Sequence, residues 1–357
     1  MRVLILSPAS PPRGVLRSLS SLGVEPVVAR PDGDSETDGL IQYVRVSARG
    51  DRDRPVDLRW SRRALRAMVR DVGPQLIHIM GDPWTPTAEA GAAAARHLKV
   101  PYVLVATSSL GGPKGLTAKW QGDRIRTEAA ALAGTVRSAL EHLLGGQSTD
   151  RPTAVLPPGG LSIPVAWSPR PDPAPVMFAA VGRLVAERGI DLLLNALGAT
   201  FGDWRLRIVG TGPVHESLEQ QAQHLGLSAR IEWLGALPRD QLNAFWPEVD
   251  VLVAPSRSTP EWVEPSGAMV LQAMAQGVAP VVSRSGALPD VVGGSGLIVD
   301  QDDLVALTRA TQGFVAEPWR CRSIGSVARQ RVLEQYADAA VAERMVTLWR
   351  RALGLEA

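Results

Sequence analysis

Glu264-Pro265-Ser266-Gly267-Ala268-Met269-Val270-Leu271-Gln272-Ala273-Met274-Ala275-Gln276-Gly277 lies between two short apolar runs, Val251–Ala254 and Ala279–Val282. The segment itself predicts a helix. Pro265 suits the first turn, and Gly277 suits the position after the end. The flanking runs predict strands. A strand, a helix and a second strand in this order make a unit of parallel sheet.

The same alternation continues in both directions. Met177–Val181, Arg205–Val209 and Ile231–Leu234 complete a second series of strands. A first series is Val3–Leu6, Val24–Ala29, Leu76–Ile79, Tyr102–Val105 and Ala154–Leu156. Helical patterns lie between most of them, which predicts α/β layers with helices on both sheet faces. Between the two series, the stretch from Pro157-Pro158-Gly159-Gly160 to Pro175 also holds Pro164, Pro169, Pro171 and Pro173. It reads as a linker. Two Rossmann-like, doubly wound domains are therefore expected, at residues 1–165 and 166–335. Residues 336–357 form a final helix expected to pack back toward the first domain. That helix, about Ala337–Leu353, carries Val341, Met345, Leu348 and Trp349 on one side.

Composition agrees. A chain of 357 residues favours two domains, and 45% hydrophobic residues suffice for two cores. No run approaches the ~20 apolar residues of a spanning helix. Met1–Pro8 reads as a first strand, and no signal-peptide pattern follows it. The single cysteine, Cys321, excludes an internal disulfide and a Cys-based metal cluster, and a cytoplasmic location fits. The net charge of +2 does not suggest a nucleic-acid partner. It is uneven, with 21 Lys+Arg against 15 Asp+Glu in residues 1–165 and 17 against 21 in the remainder.

Three segments could carry chemistry. At the start of the predicted helix, Ser266 and Gly267 leave N–H groups open, a ready anion site aided by the helix dipole. Glu264 sits at the mouth and Gln272 further along. An ordinary capped core helix would show the same pattern. Arg183 and Arg188 flank the turn after Met177–Val181, and guanidinium groups there could neutralise a diphosphate. Two solvated arginines would look the same. Gly210-Thr211-Gly212-Pro213 follows the strand Arg205–Val209 and is either a phosphate-approaching loop or a tight turn.

Taken in order, these segments resemble the C-terminal half of glycosyltransferase family 4, retaining enzymes of the GT-B fold. The matching stretches are Val181–Ala196, Ile208–Pro213, Leu234-Gly235, Val249–Ser256, Glu264–Gly277 and Ser285–Asp303, including Gly286-Ala287-Leu288-Pro289-Asp290-Val291-Val292. Met1–Pro12, Pro74–Trp84 and Val100–Val105 match more loosely. The resemblance implies two Rossmann-like domains facing across a cleft. It implies that Arg183 and Arg188 hold the donor diphosphate and that Glu264, the first acid of the E-x7-E pattern, contacts the donor sugar. Ser266, Gly267 and Ala268 would offer backbone N–H groups, and Gln272 would bind the ribose. Gly210 and Gly212 belong to the same donor site. The acceptor side would include Gly14, Asp82, Thr107 and Ser108.

Departures from the family are visible. Gln272 replaces the usual Glu, and Ser266 the usual aromatic. The glycine-rich loop is shortened to Pro11-Pro12-Arg13-Gly14, and Ala106-Thr107-Ser108-Ser109 lacks the His many members place there. His78, inside an apolar strand, reads as a structural residue. Asp82 either faces the cleft or initiates the turn at Pro83. Arg59, Arg62, Arg63, Arg66 and Arg70 recur at helical spacing. They resemble the membrane-docking helix of lipid-acceptor members, although a solvated surface face has the same form.

The expected function is metal-independent, retaining transfer of a hexose from a UDP- or GDP-sugar, with no other cofactor. The acceptor would be a glycan, a lipid-linked molecule or a small molecule, as in polysaccharide assembly. The alternative is a weak or silent sugar-nucleotide-binding scaffold of the same fold.

Overall fold

The computed structural model describes residues 1–50, 58–113, 115–161, 163–165, 167–168 and 175–355. The chain divides into two compact units, Met1–Gly160 with Ala337–Ala357, and Leu161–Tyr336. The division falls a few residues before 165, and the last helix groups with the first unit. Within the predicted linker, 162, 166 and 169–174 lie outside the described residues, Pro169, Pro171 and Pro173 among them.

The first unit contains β1 (Arg2–Leu6), β2 (Glu25–Arg30), β3 (Glu36–Asp38), β4 (Ile41–Arg45), β5 (Ala48–Arg49), β6 (Arg59–Trp60), β7 (Leu76–Met80), β8 (Tyr102–Ala106), β9 (Ala131–Gly134) and β10 (Thr153–Val155). Eight of them make one sheet in the order β10-β9-β8-β7-β1-β2-β4-β3, while β5 and β6 form a separate ribbon. All neighbours in the large sheet are parallel except β3 and β4. Val3–Leu6 and Tyr102–Ala106 are buried throughout, as strands covered on both faces must be. On one face, Val15, Leu16 and Leu19 of the helix Arg13–Ser21 join Val341, Met345 and Trp349 of the helix Asp338–Ala352 over Val3, Ile5 and Val103.

The helix Arg62–Val72 starts at Ser61, whose hydroxyl accepts the Ala64 N–H at 3.3 Å, and stops at Gly73 with φ +57°. Its buried Leu65, Met68 and Val69 face the helix Pro86–Leu98. Arg59 lies on β6 and not on this helix, because Ser61 caps the chain two residues later.

The second unit is a wholly parallel sheet of β11 (Val176–Val181), β12 (Trp204–Val209), β13 (Ile231–Gly235), β14 (Val251–Ala254), β15 (Ala279–Ser283) and β16 (Leu297–Val299). Its order is β13-β12-β11-β14-β15-β16. This is the mononucleotide-fold order, which reverses between the first and fourth strands of the unit. The helix Ile190–Gly198 buries Ile190, Leu192, Leu193 and Leu197 in one core cluster. The helix Ala268–Ala275 buries Val270, Leu271 and Met274 in another. Both units have the α/β form of the GT-B fold. Among the described residues no helix is long and apolar enough to cross a membrane.

Candidate functional site

The order of the second sheet reverses between β11 and β14, and the turns after those strands frame a crevice where open α/β sheets bind ligands. The turn after β11 is pressed against the turn after β12. A Cβ on Gly210 would stand 1.8 Å from the Gly182 carbonyl O, and one on Gly212 2.2 Å from that of Leu184. These glycines shape the loop that carries Arg183. Arg183 is exposed, and its side chain has no hydrogen bond or ion pair among the described residues. It is free to meet an anion.

Arg188 is differently placed. Its Nη1 donates to Glu264 Oε2, and its guanidinium lies 5.3 Å from the centroid of the Trp262 ring. Glu264 is buried, and its other oxygen accepts the Gly267 N–H at 3.4 Å. Arg188 and Glu264, expected to meet the donor diphosphate and sugar, are paired with each other in this structure. The two side chains satisfy each other, because a buried carboxylate requires a cation or several donors.

The helix begins at Ala268, three residues later than Pro265 would suggest. Gly267 takes a left-handed φ of +61°, and the Glu264 carboxylate receives its N–H. Gly267 is consequently not an open donor. Ser266, Ala268 and Met269 keep N–H groups without an acceptor among the described residues. Gln272 stands one turn into the helix, about 6 Å along the axis from Ala268 rather than the longer span implied by a start at Pro265. Its Oε1 is buried and lacks a hydrogen-bond partner among the described residues.

Sequence reasoning missed Arg257, the third residue after β14. Its Nη1 and Nη2 donate to the two carboxylate oxygens of Asp191 at 2.6 and 2.8 Å, and Nε donates to Asp302 at 2.5 Å. Nη1 also donates to the Ala186 carbonyl at 3.1 Å. Its hydrogen bonds to Asp191 foremost, then to Asp302, raise its pKa. Arg257 ties the turn after β14 to the turn that carries Arg183. Its only trace in the sequence is an arginine just beyond a strand end.

In the first unit three residues assigned to the acceptor side converge. Asp82 follows β7, and Thr107 and Ser108 follow β8. One Asp82 oxygen accepts the Thr107 and Ser108 N–H groups at 3.1 and 3.2 Å, and the Thr107 hydroxyl reaches the other at 3.4 Å. Burial pushes the Asp82 carboxyl up from the usual range, and those donors pull it back. Gly14 does not join them. The absent side chain admits the Asp338 carboxylate, which would lie 1.8 Å from a Cβ there and which accepts the Gly160 N–H at 2.7 Å. The lack of a side chain at Gly14 thus serves packing against the last helix. His78 accepts the Trp349 indole N–H on Nδ1 at 3.1 Å, and burial lowers its pKa to about 4.

Residues 12–159 match the family description "Glycosyl transferase 4-like domain", and residues 167–331 match "Glycosyl transferases group 1". Each match lies inside one structural unit. The chain belongs to glycosyltransferase family 4. Among relatives, the GDP-mannose-dependent alpha-(1-6)-phosphatidylinositol monomannoside mannosyltransferase of Mycolicibacterium smegmatis is 33% identical over 217 residues, 56% of this chain and 53% of the relative. This family 4 chain spans about half the length of the curated relatives it matches. Sucrose-phosphate synthase from Thermosynechococcus elongatus superposes over 100% of both chains with a TM-score of 0.69 at 20% identity. Anabaena HepE in complex with UDP covers 98% of each chain with a TM-score of 0.68 at 16% identity. These likenesses show the GT-B fold.

Proposed function

We propose that this chain is a glycosyltransferase that takes a sugar from a UDP- or GDP-linked donor and passes it, with retention and without a metal, to an acceptor. The observation that carries the reading is the group of unmet polar atoms around the second unit's switch point. Among the described residues Arg183 is an exposed cation, the helix start at Ala268 offers open N–H groups, and Gln272 Oε1 is a buried acceptor without a donor. A nucleoside diphosphate supplies each counterpart: phosphate oxygens for the cation and N–H groups, and a ribose hydroxyl for Gln272. Departure of the diphosphate leaves an oxocarbenium-like carbon, and Arg183 with the helix N-terminus stabilises the charge that develops on the leaving group. The M. smegmatis relative is GDP-mannose-dependent and HepE was solved with UDP, which supports a nucleotide-sugar donor without choosing the base. The acceptor is a glycan, lipid-linked or small molecule, met on the first unit near Asp82. We place the work in the cytoplasm, where nucleotide sugars serve polysaccharide assembly.

The rival reading, a silent sugar-nucleotide-binding scaffold, has one observation in its favour. Glu264 has both oxygens engaged by Arg188 and Gly267. Calorimetric titration with UDP, GDP and ADP tests the shared part. Arg183→Ala is expected to weaken diphosphate binding by about 1.5–3 kcal/mol, the scale of a hydrogen bond to a charged group, while the unfolding midpoint stays put. Equal affinity in a folded variant would remove Arg183 from the site. Release of free sugar from the preferred donor then separates enzyme from scaffold.

A further inference from the structure

An apolar cavity of about 140 Å³ lies in the first unit. Ile5 of β1, His78 and Met80 of β7 and Val105 of β8 line it, with Val341 and Met345 of the last helix. The exposed Ala9, Ser10 and Pro158 mark its mouth. β1 and β7 are the strands at which this sheet reverses its order, with β2 on one side and β8 on the other. Open α/β sheets collect ligands beyond the carboxyl ends of such a strand pair.

The chemistry of the lining narrows the ligand. No charged side chain contributes to it among the described residues, and apart from Ser7 and Ser10 the one polar side chain is His78. His78 is 2% exposed. The Trp349 indole can only donate, so His78 Nδ1 accepts and the ring proton sits on Nε2. Nothing among the described residues accepts that second N–H. His78 lines the cavity, and its Nε2 is not among the fully buried unpartnered atoms, so this N–H is open to the cavity, where a ligand oxygen would accept it. The volume suits a six-membered ring, since an apolar cavity of about 150 Å³ takes up benzene.

We propose that this cavity binds an aryl or cycloalkyl group carrying one ether or carbonyl oxygen, which accepts the Nε2–H of His78. The site is confined to the first unit and stands whether or not the second unit binds nucleotide sugars. Anisole and ethylbenzene have nearly the same shape and differ by an oxygen in place of a methylene. Both are titrated into the full chain by calorimetry, with glucose as a polar control. Both aromatics are expected to bind and glucose to give no heat. The ratio of anisole to ethylbenzene affinity is expected to fall about tenfold in His78→Leu, the loss of one hydrogen bond. Ala9→Trp, at the exposed mouth, leaves His78 in place and is expected to abolish both binding events even if His78→Leu does not fold. Failure of the unaltered chain to bind either aromatic overturns the proposal. So does an unchanged affinity ratio in folded His78→Leu, or full binding by Ala9→Trp.

Discussion

Gly286 has a φ of +50°, and a Cβ there would stand 2.2 Å from the Glu264 carbonyl O. The next residue, Ala287, donates its N–H to that same carbonyl at 2.9 Å. The turn after β15 therefore holds the turn that presents Glu264 and the helix start. Gly286→Ala should cost about 2–3 kcal/mol, left-handed strain plus the collision, and nucleotide affinity should fall with it. Urea unfolding measures the first effect and calorimetry the second. An alanine variant with an unmoved midpoint would mean that the Glu264 turn shifts freely, and the fixed geometry assigned to it would be lost. The sequence showed Gly286 within a family motif but not its reason, which is contact with a carbonyl more than twenty residues away. The same blindness hid the Arg188–Glu264 pair. Periodicity reports on neighbours in the chain, and these partners are brought together only by the sheet order.

Elements were legible where their pattern was strong. The apolar runs at β1, β7, β8, β11 and β14 stand where both buried faces require them. β9, Ala131–Gly134, was missed because Ala-Leu-Ala-Gly has little strand propensity, and its burial comes from its neighbours β8 and β10. β4 was missed because Ile41–Arg45 places polar residues between apolar ones at a sheet margin. The Arg-rich helix was found, but its composition could not show what its apolar face covers. Leu65, Met68 and Val69 are spent on the helix Pro86–Leu98, and Arg62 pairs with Glu89. Arg63 and Arg70 are exposed, while Arg66 is half-buried with Nε unpartnered among the described residues. Contact with an anionic membrane through this face would accordingly be electrostatic, at about 1 kcal/mol per basic residue near the surface. Co-sedimentation with anionic vesicles should exceed that with neutral ones and decline as salt rises. Arg63→Ser with Arg70→Ser should remove most of the difference. Equal pelleting with both vesicle types would leave the arginines as a solvated surface.

At the scale of the whole molecule, the first unit's stability should carry the signature of one buried imidazole. His78 sits in the middle of β7, its pKa lowered to about 4 by desolvation, while the unfolded chain titrates near the ordinary 6.5. Between those values the unfolded state binds a proton that the folded state refuses, so unfolding is favoured as pH falls. The contribution is fully present above pH 6.5, declines through the window and is lost by about pH 4. At 1.36 kcal/mol per pKa unit, the window corresponds to about 3 kcal/mol. Carboxylates titrate in the same range, so a comparison isolates the imidazole. His78→Gln retains an acceptor for the Trp349 indole but has no proton to gain. Urea unfolding followed by tryptophan fluorescence at pH 7, 5.5 and 4 should show the unaltered chain losing about 3 kcal/mol more than the variant. The variant should be the less stable at pH 7, where the well-fitted neutral ring is lost, and the two curves should converge toward pH 4. Parallel curves would mean that the ring takes its proton within the fold, and the neutral His78 on which the Trp349 hydrogen bond depends would have to be given up.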